Sequence, residues 1–311
     1  MKIGSLFTGI GGIELGVTRT VQSINQADNR IEWIAETDKN ALKLLEHSTM
    51  FRGAPNLGDV TKIDWSSIPD VDCITGGTPC QDFSHLGTRE GLEGSKSSLL
   101  YTFIDAVKAK KPEYALWENV TGALTKGAYD VLLDALNDAD YSTSSVILPA
   151  SSLGMPHKRS RLFVFAERTE GGAAPFNDQL VEVRPNTRLR IFPTPNRSRM
   201  DGRKSPGYSK RPSFYDLKQW SDDEVRASYG AAIERWERTL GREAPPLAKP
   251  KGTLNVEFIE RMMGFPKGWV TDANDVSRTA KLAALGNACT PQQASEAFYH
   301  GLMQLTRERT K

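Results

Sequence analysis

The chain has 311 residues, 39% of them hydrophobic and 25% charged, with a formal net charge of +2. That length and apolar content give a folded chain with a real core, as one large or two modest domains, and so small a net charge says nothing about partners by itself. The three cysteines, Cys73, Cys80 and Cys289, are odd in number and lack CxxC spacing, and no signal peptide or long apolar segment is evident; this argues against structural disulfides or a zinc site and predicts a reducing, cytoplasmic setting.

In chain order, Ile3 to Phe7 reads as a short apolar strand, followed by the turn Thr8-Gly9-Ile10-Gly11-Gly12 and a helical pattern from Ile13. Ile31 to Ala35 is a second strand, ending on Glu36. The run Val71-Asp72-Cys73-Ile74-Thr75 is a third, opening into Gly76-Gly77-Thr78-Pro79-Cys80. A stripe of Leu99, Phe103, Ile104 and Val107 predicts a helix before a fourth strand, Tyr114 to Trp117, which ends on Glu118-Asn119-Val120. Val131, Leu132 and Leu136 mark another helix, and Ser145 to Leu148 with Arg161 to Ala166 read as a closing pair of strands. Such alternation implies an α/β fold with a doubly wound, mostly parallel sheet.

After Ala166 the chain becomes rich in Gly, Pro and Arg, without clear periodicity, to about Lys251, and reads as a separate, smaller domain. Within it Asp222 to Leu240 has helical spacing through Val225, Tyr229, Ile233 and Trp236. Order resumes at Leu254 with Phe258, Ile259, Met262 and Met263, and Leu282 to Leu305 is helical beyond Pro291. The division expected is residues 1–166 with 275–311 for the first domain and 167–274 for the second.

Cys80 is the candidate nucleophile. It follows a buried strand in a sheet type that gathers reactive groups beyond the strands' carboxyl ends, and Pro79, with no amide hydrogen, ends the strand there. Gln81 to Ser98, with Gly87, Gly91 and Gly94, reads as a lid. The glycine turn lets the backbone approach a ligand, and Glu36 is spaced as an acid that holds ribose hydroxyls, so a nucleoside-containing cofactor is expected. Asp59, in Gly58-Asp59-Val60, either meets that cofactor's base edge or is an ordinary turn aspartate. Glu118 ends a strand expected beside the one carrying Cys80, and Arg159 and Arg161, two apart, are placed to hold a phosphate or carbonyl oxygen. Between Arg184 and Arg211, nine basic residues face only Asp201. Either this is a solvated surface segment, or its arginines neutralise phosphates and read base edges.

Taken together, these motifs resemble those of the DNA (cytosine-5)-methyltransferases of prokaryotic or phage type, in the family's order over nearly the whole chain. The resemblance is carried by Phe7 to Gly12, Glu36, Asp59, Gly77 to Gln81, Glu118 to Val120 and Arg159-Ser160-Arg161. It continues in Leu254 to Phe258, Met263 to Pro266 and Leu285 to Ala288. It implies a Rossmann-like S-adenosylmethionine-dependent fold with an irregular target-recognition domain at 167–274, and no metal. The donor would have Phe7 near its adenine, the backbones of Gly9, Ile10 and Gly12 near its methionine part, and Glu36 on its ribose. Asp59 would meet the adenine amino group, with Pro79 alongside and Asn287 closing the pocket.

The resemblance further implies that Cys80 adds to C6 of a flipped-out cytosine, with Glu118, Arg159 and Arg161 completing the catalytic set. Duplex DNA would be touched by Gln81, Ser84 and Arg89 of the lid, and by Arg188, Arg190, Arg197, Arg199, Arg203 and Lys204 of the basic stretch. A monomer is implied, and any cognate restriction endonuclease would be a functional and not necessarily a physical partner, the choice between an orphan enzyme and a restriction-modification pair staying open. The first strand's start at residue 3 suits a prokaryotic or viral modification enzyme. His157 stands where many members have glutamine, and Thr37 where a bulkier residue is common. Three alternatives are an RNA cytosine-5 methyltransferase of the same family, an inactive DNA-binding relative, and a nicotinamide oxidoreductase, the last leaving Cys80 and Glu118 unexplained.

Overall fold

The computed structural model describes residues 1–25, 28–79, 99–125, 127–169, 180–183, 221–249 and 253–309. Apart from a separate antiparallel pair, β8 (Ala248–Lys249) and β9 (Thr253–Leu254), its described strands are β1 (Lys2–Leu6), β2 (Arg30–Ala35), β3 (Cys73–Gly76), β4 (Tyr114–Asn119), β5 (Tyr141–Pro149), β6 (Ser160–Arg168) and β7 (Val181–Glu182). They form one sheet in the order β2-β1-β3-β4-β6-β5-β7. The first four are parallel, while β6 runs antiparallel between β4 and β5. β1 pairs with β2 on one side and β3 on the other, so the winding reverses there, and a crevice at the carboxyl ends is the expected ligand position.

The helices are α1 (Gly12–Asn25), α2 (Lys39–Glu46), α3 (Leu99–Lys110), α4 (Ala128–Asn137), α5 (Asp222–Leu240), α6 (Val256–Met262), α7 (Arg278–Asn287) and α8 (Pro291–Arg309). Their starts follow from local chemistry. Asp38 accepts from the amides of Asn40 and Ala41 to begin α2, and Ser221 with Glu224 forms a reciprocal capping box on α5. Gly241, at φ +64°, ends α5 in the left-handed conformation that favours glycine. No helix among the described residues is long and apolar enough to cross a membrane.

Hydrophobic periodicity underestimates β5. The expectation was Ser145 to Leu148, yet all nine residues from Tyr141 are buried, because Ser142, Thr143, Ser144 and Ser145 occupy positions where an apolar run would be sought. Beyond Ala166, β6 continues to Arg168, and β7 adds to the same sheet beside β5 as an exposed two-residue edge. Residues of α5, the Leu254 strand and α6 share one apolar cluster with Ile10, Leu15 and Leu44. Of the described parts of 167–274, these elements therefore share a core with the start of α1 and with α2, whereas the end of β6 and β7 lie in the main sheet.

Candidate active site

The turn after β1 is bent by backbone conformations that few side chains adopt. Gly9 and Gly11 have φ of +55° and +78°, and Phe7, which is not a glycine, sits at +55°. A left-handed non-glycine residue costs about 1–3 kcal/mol and persists where its surroundings over-determine it. Here they do, because the Phe7 amide donates to Ala35 O at 2.9 Å. At Gly12 a Cβ would lie 2.1 Å from the Cys289 carbonyl oxygen, so the helix start can approach the α7–α8 connection only without a side chain.

Glu36 and Trp269 bond this turn directly, and further side chains hold their surroundings. Glu36, just past β2, accepts from the Gly9 amide at 2.7 Å through one carboxylate oxygen, and from the amides of Thr37 and Asp38 at 2.8 and 2.7 Å through the other. Asn56 accepts from the amides of Glu36 and Gly58 and donates back to Glu36 O, which ties the Glu36 turn to the one before Asp59. Asp59 itself accepts from the amide and hydroxyl of Thr61 and pairs with Lys62, the ordinary turn-capping arrangement. Trp269 donates through Nε1 to Ile10 O at 2.8 Å, and Glu260 accepts from the amides of Gly268, Val270 and Thr271 around it. Neither Asn56 nor Trp269 is among the residues predicted from sequence. An asparagine 20 residues beyond Glu36 has no local signature, whereas the Gly264-Phe265-Pro266 turn that precedes Trp269 is visible.

At the neighbouring strand ends, β4 clamps the segment that leads to position 80. Asn119 donates to Thr78 O at 2.8 Å, and Trp117 Nε1 donates to Thr78 Oγ1 at 3.1 Å. Glu118, 13% exposed at its side chain, accepts from Arg161 Nε at 2.8 Å. Its second oxygen lies against Gly77, where a Cβ would be 3.0 Å away. Burial raises the Glu118 pKa, and Arg161 and Arg159 oppose that rise without cancelling it. Such a carboxyl keeps or shares a proton more readily than an exposed one.

The two arginines do different things. Arg161 reaches the carboxyl, whereas Arg159, 3% exposed, donates to the carbonyls of Gly286 at 3.1 Å, Asn287 at 3.5 Å and Ala288 at the end of α7. These are orphan helix-terminal carbonyls, which a buried cation satisfies well. Of the two arginines expected to hold a phosphate or carbonyl oxygen, one pairs with Glu118 and the other holds protein carbonyls of the stretch that carries Asn287. Gln293 bonds Arg159 O and Leu148 O, adding a second tie between α8 and this corner. His157 is fully buried with Nε2 3.1 Å from Met262 O, and burial depresses its pKa to about 3, so it stays neutral.

Cys80, Gln81, Ser84 and Arg89, with the rest of the expected lid, lie outside the described residues, as do Arg188, Arg190, Arg197, Arg199, Arg203 and Lys204. Cys73 and Cys289 are free and buried, and burial raises both thiols. Pro79 ends the described part of this strand exit.

The C-5 cytosine-specific DNA methylase model matches residues 1–300. The chain belongs to that family. As a C-5 cytosine-specific DNA methylase it takes its methyl group from S-adenosylmethionine. Type II methyltransferase M.BsuFI of Bacillus subtilis is 29% identical over 296 residues, 91% of this chain and 68% of that protein. Type II methyltransferase M1.ScrFI of Lactococcus lactis subsp. cremoris is 34% identical over 168 residues, 52% of this chain and 40% of that longer relative. A crystal structure of a Spodoptera frugiperda DNMT2 mutant shares the fold, with a TM-score of 0.62 and 16% identity over 95% of this chain and 97% of that one. The methylase's first turn suits the donor. Glu36, oriented by three amides, keeps an acceptor position for a hydroxyl, and among the described residues a Cβ at Gly9 would meet nothing nearer than Phe7 O at 4.0 Å, which leaves room on the outer face of the turn.

Proposed function

We propose that this methylase transfers the methyl group of S-adenosylmethionine to C5 of a cytosine flipped out of duplex DNA at a specific sequence, through a transient bond between Cys80 and C6. The observation that carries this reading is the Glu118–Arg161 pair, 2.8 Å apart beside Gly77, at the strand end next to the one leading to Cys80. Bound S-adenosylmethionine supplies an electrophilic methyl group. The chain supplies the rest. A thiol of ordinary pKa, about 8.5, is mostly protonated at neutral pH, and the positive charge of Arg161 favours the reactive thiolate. The thiolate bonds C6, and the ring electrons move toward C5 and N3.

Glu118 shares a proton with the ring at N3, so the negative charge pushed into the ring is met by a preorganised acid. After the methyl group joins C5, a base or a water molecule takes the C5 proton, and the electrons of that C–H bond re-form the C5–C6 double bond and expel the Cys80 sulfur as thiolate. The thiols of Cys73 and Cys289 are buried and raised, which supports assigning the nucleophile's role to Cys80 rather than to either of them. The arginines between 184 and 211 supply phosphate contacts, giving steep salt dependence. Phe7, Gly9, Ile10, Gly12, Glu36, Asp59, Pro79 and Asn287 line the donor's side. The target-recognition domain spans 167–274, the protein acts as a monomer, and any cognate restriction endonuclease is a functional partner.

Expression in a host without cytosine methylation, followed by bisulfite sequencing, tests the reading. Protected cytosines in one sequence context support it. Unprotected DNA, with methyl transfer instead to RNA in a parallel assay, would replace DNA by RNA as the substrate.

A further inference from the structure

Glu14 lies in the first turn of α1, 1% exposed, and takes no part in the chemistry above. One carboxyl oxygen receives Thr75 Oγ1 at 2.6 Å and Ser5 Oγ at 2.8 Å, while the other is buried with no partner among the described residues. Ser5 Oγ is also 2.8 Å from Thr8 Oγ1. A hydroxyl has one hydrogen and two lone pairs, so the Ser5 proton is shared between the Glu14 carboxyl and Thr8 Oγ1, while the Thr8 hydroxyl donates to Ser5 O at 3.4 Å. A chain of buried groups thus runs Thr8–Ser5–Glu14–Thr75, joining the second residue of the donor turn to β1, α1 and β3. The Thr8 carbonyl in turn accepts from the Gly11 amide at 2.9 Å, which closes the turn.

A carboxyl in such a place is expensive, because burial penalises its charged form and leaves one oxygen without a bond from the described residues. An apolar side chain would pack there at less cost unless the two hydroxyls had to be held. We propose that Glu14 is a positioning residue for the methyl donor. Through Ser5 and Thr8 it fixes how deep the Phe7-to-Gly12 turn sits on the sheet, and so where the backbones of Gly9 and Ile10 present themselves. The inference rests on reading that turn as the donor site.

The test is calorimetric binding of S-adenosylmethionine to the full chain without nucleic acid, alongside urea unfolding and donor kinetics. E14L should weaken donor binding about tenfold and raise the donor KM with little change in kcat. E14Q keeps an acceptor oxygen for both hydroxyls and should restore binding to within about threefold of the parent. T8V should weaken binding too, and the E14L/T8V double variant should lose less than the product of the single losses, since both cut one chain. Should E14L fail to fold, T8V and E14Q still decide, because unchanged binding in T8V overturns the proposal. So does an E14L protein that unfolds at lower urea but binds the donor like the parent. If the folded parent itself binds no S-adenosylmethionine, the donor-site reading fails and the proposal falls with it.

Discussion

Arg159→Lys separates the two arginines that sequence alone treats as a pair. The guanidinium spans Gly286 O at 3.1 Å, Asn287 O at 3.5 Å and Ala288 O. A lysine ammonium on a flexible stem reaches one of these carbonyls, and the 3.5 Å contact is at the limit of a hydrogen bond. The loss is therefore about one charge-assisted bond to a carbonyl that remains buried, or about 2–3 kcal/mol of stability. Because the loosened stretch carries Asn287, donor binding should weaken about fivefold to tenfold, or about 1–1.4 kcal/mol. Transfer at saturating donor should stay within about threefold, since no group on the target is touched. Arg161→Met should do the reverse, lowering kcat about 10²–10³-fold as expected for loss of a charge aimed at the reacting site, with donor Kd unchanged. Urea unfolding, donor calorimetry and tritiated-methyl incorporation into unmethylated duplex DNA read the three quantities. An R159K protein with parental stability and donor affinity but lost turnover would refute the reasoning, because Arg159 would then act on the target itself.

Cys80→Ser should abolish methyl incorporation while the donor Kd stays within about twofold, because in the proposed mechanism the sulfur bonds the target base and not the donor; equal loss of binding would contradict this. His157→Gln should change acid stability. The ring has an ordinary pKa of 6.5 and a folded value depressed to about 3, so the stability tied to its neutral form is present above pH 6.5 and lost as pH falls toward 3. The parent's stability relative to H157Q should thus drop by about 2 kcal/mol between pH 7 and pH 5, from about 1.4 kcal/mol per pH unit, in urea titrations at the two pH values. A pH-independent difference would mean that the ring is not held neutral. Trp269→Phe removes the bond to Ile10 O and should weaken donor binding about threefold to fivefold, with about 1 kcal/mol lost in unfolding.

The parallel half of the fold was legible because its strands are short apolar runs with glycines and acids at their carboxyl ends, and β1 to β4 lie within a few residues of where those runs place them. β5 was read short because buried hydroxyl residues carry no hydrophobic signal, and β7 was missed because two exposed residues have no pattern at all. At the site, Glu118 and Arg161 were legible as charged residues at strand ends. The partners of Arg159 were not legible, since spacing by two puts side chains on one face of a strand but does not say which carbonyls lie above it. Glu14 looked like one more polar residue on an amphipathic helix, and only the sheet beneath it reveals Ser5 and Thr75 as its partners.

Covalent capture tests the central claim most directly. Duplex DNA of random sequence, made with 5-fluorocytosine in place of cytosine, would be incubated with the protein and S-adenosylmethionine, denatured and digested. The expected product is a peptide containing Cys80 that carries a methylated, fluorinated pyrimidine nucleotide and is missing from the C80S protein. A donor-binding protein that yields no denaturation-resistant species, or an adduct on another residue, would contradict the account.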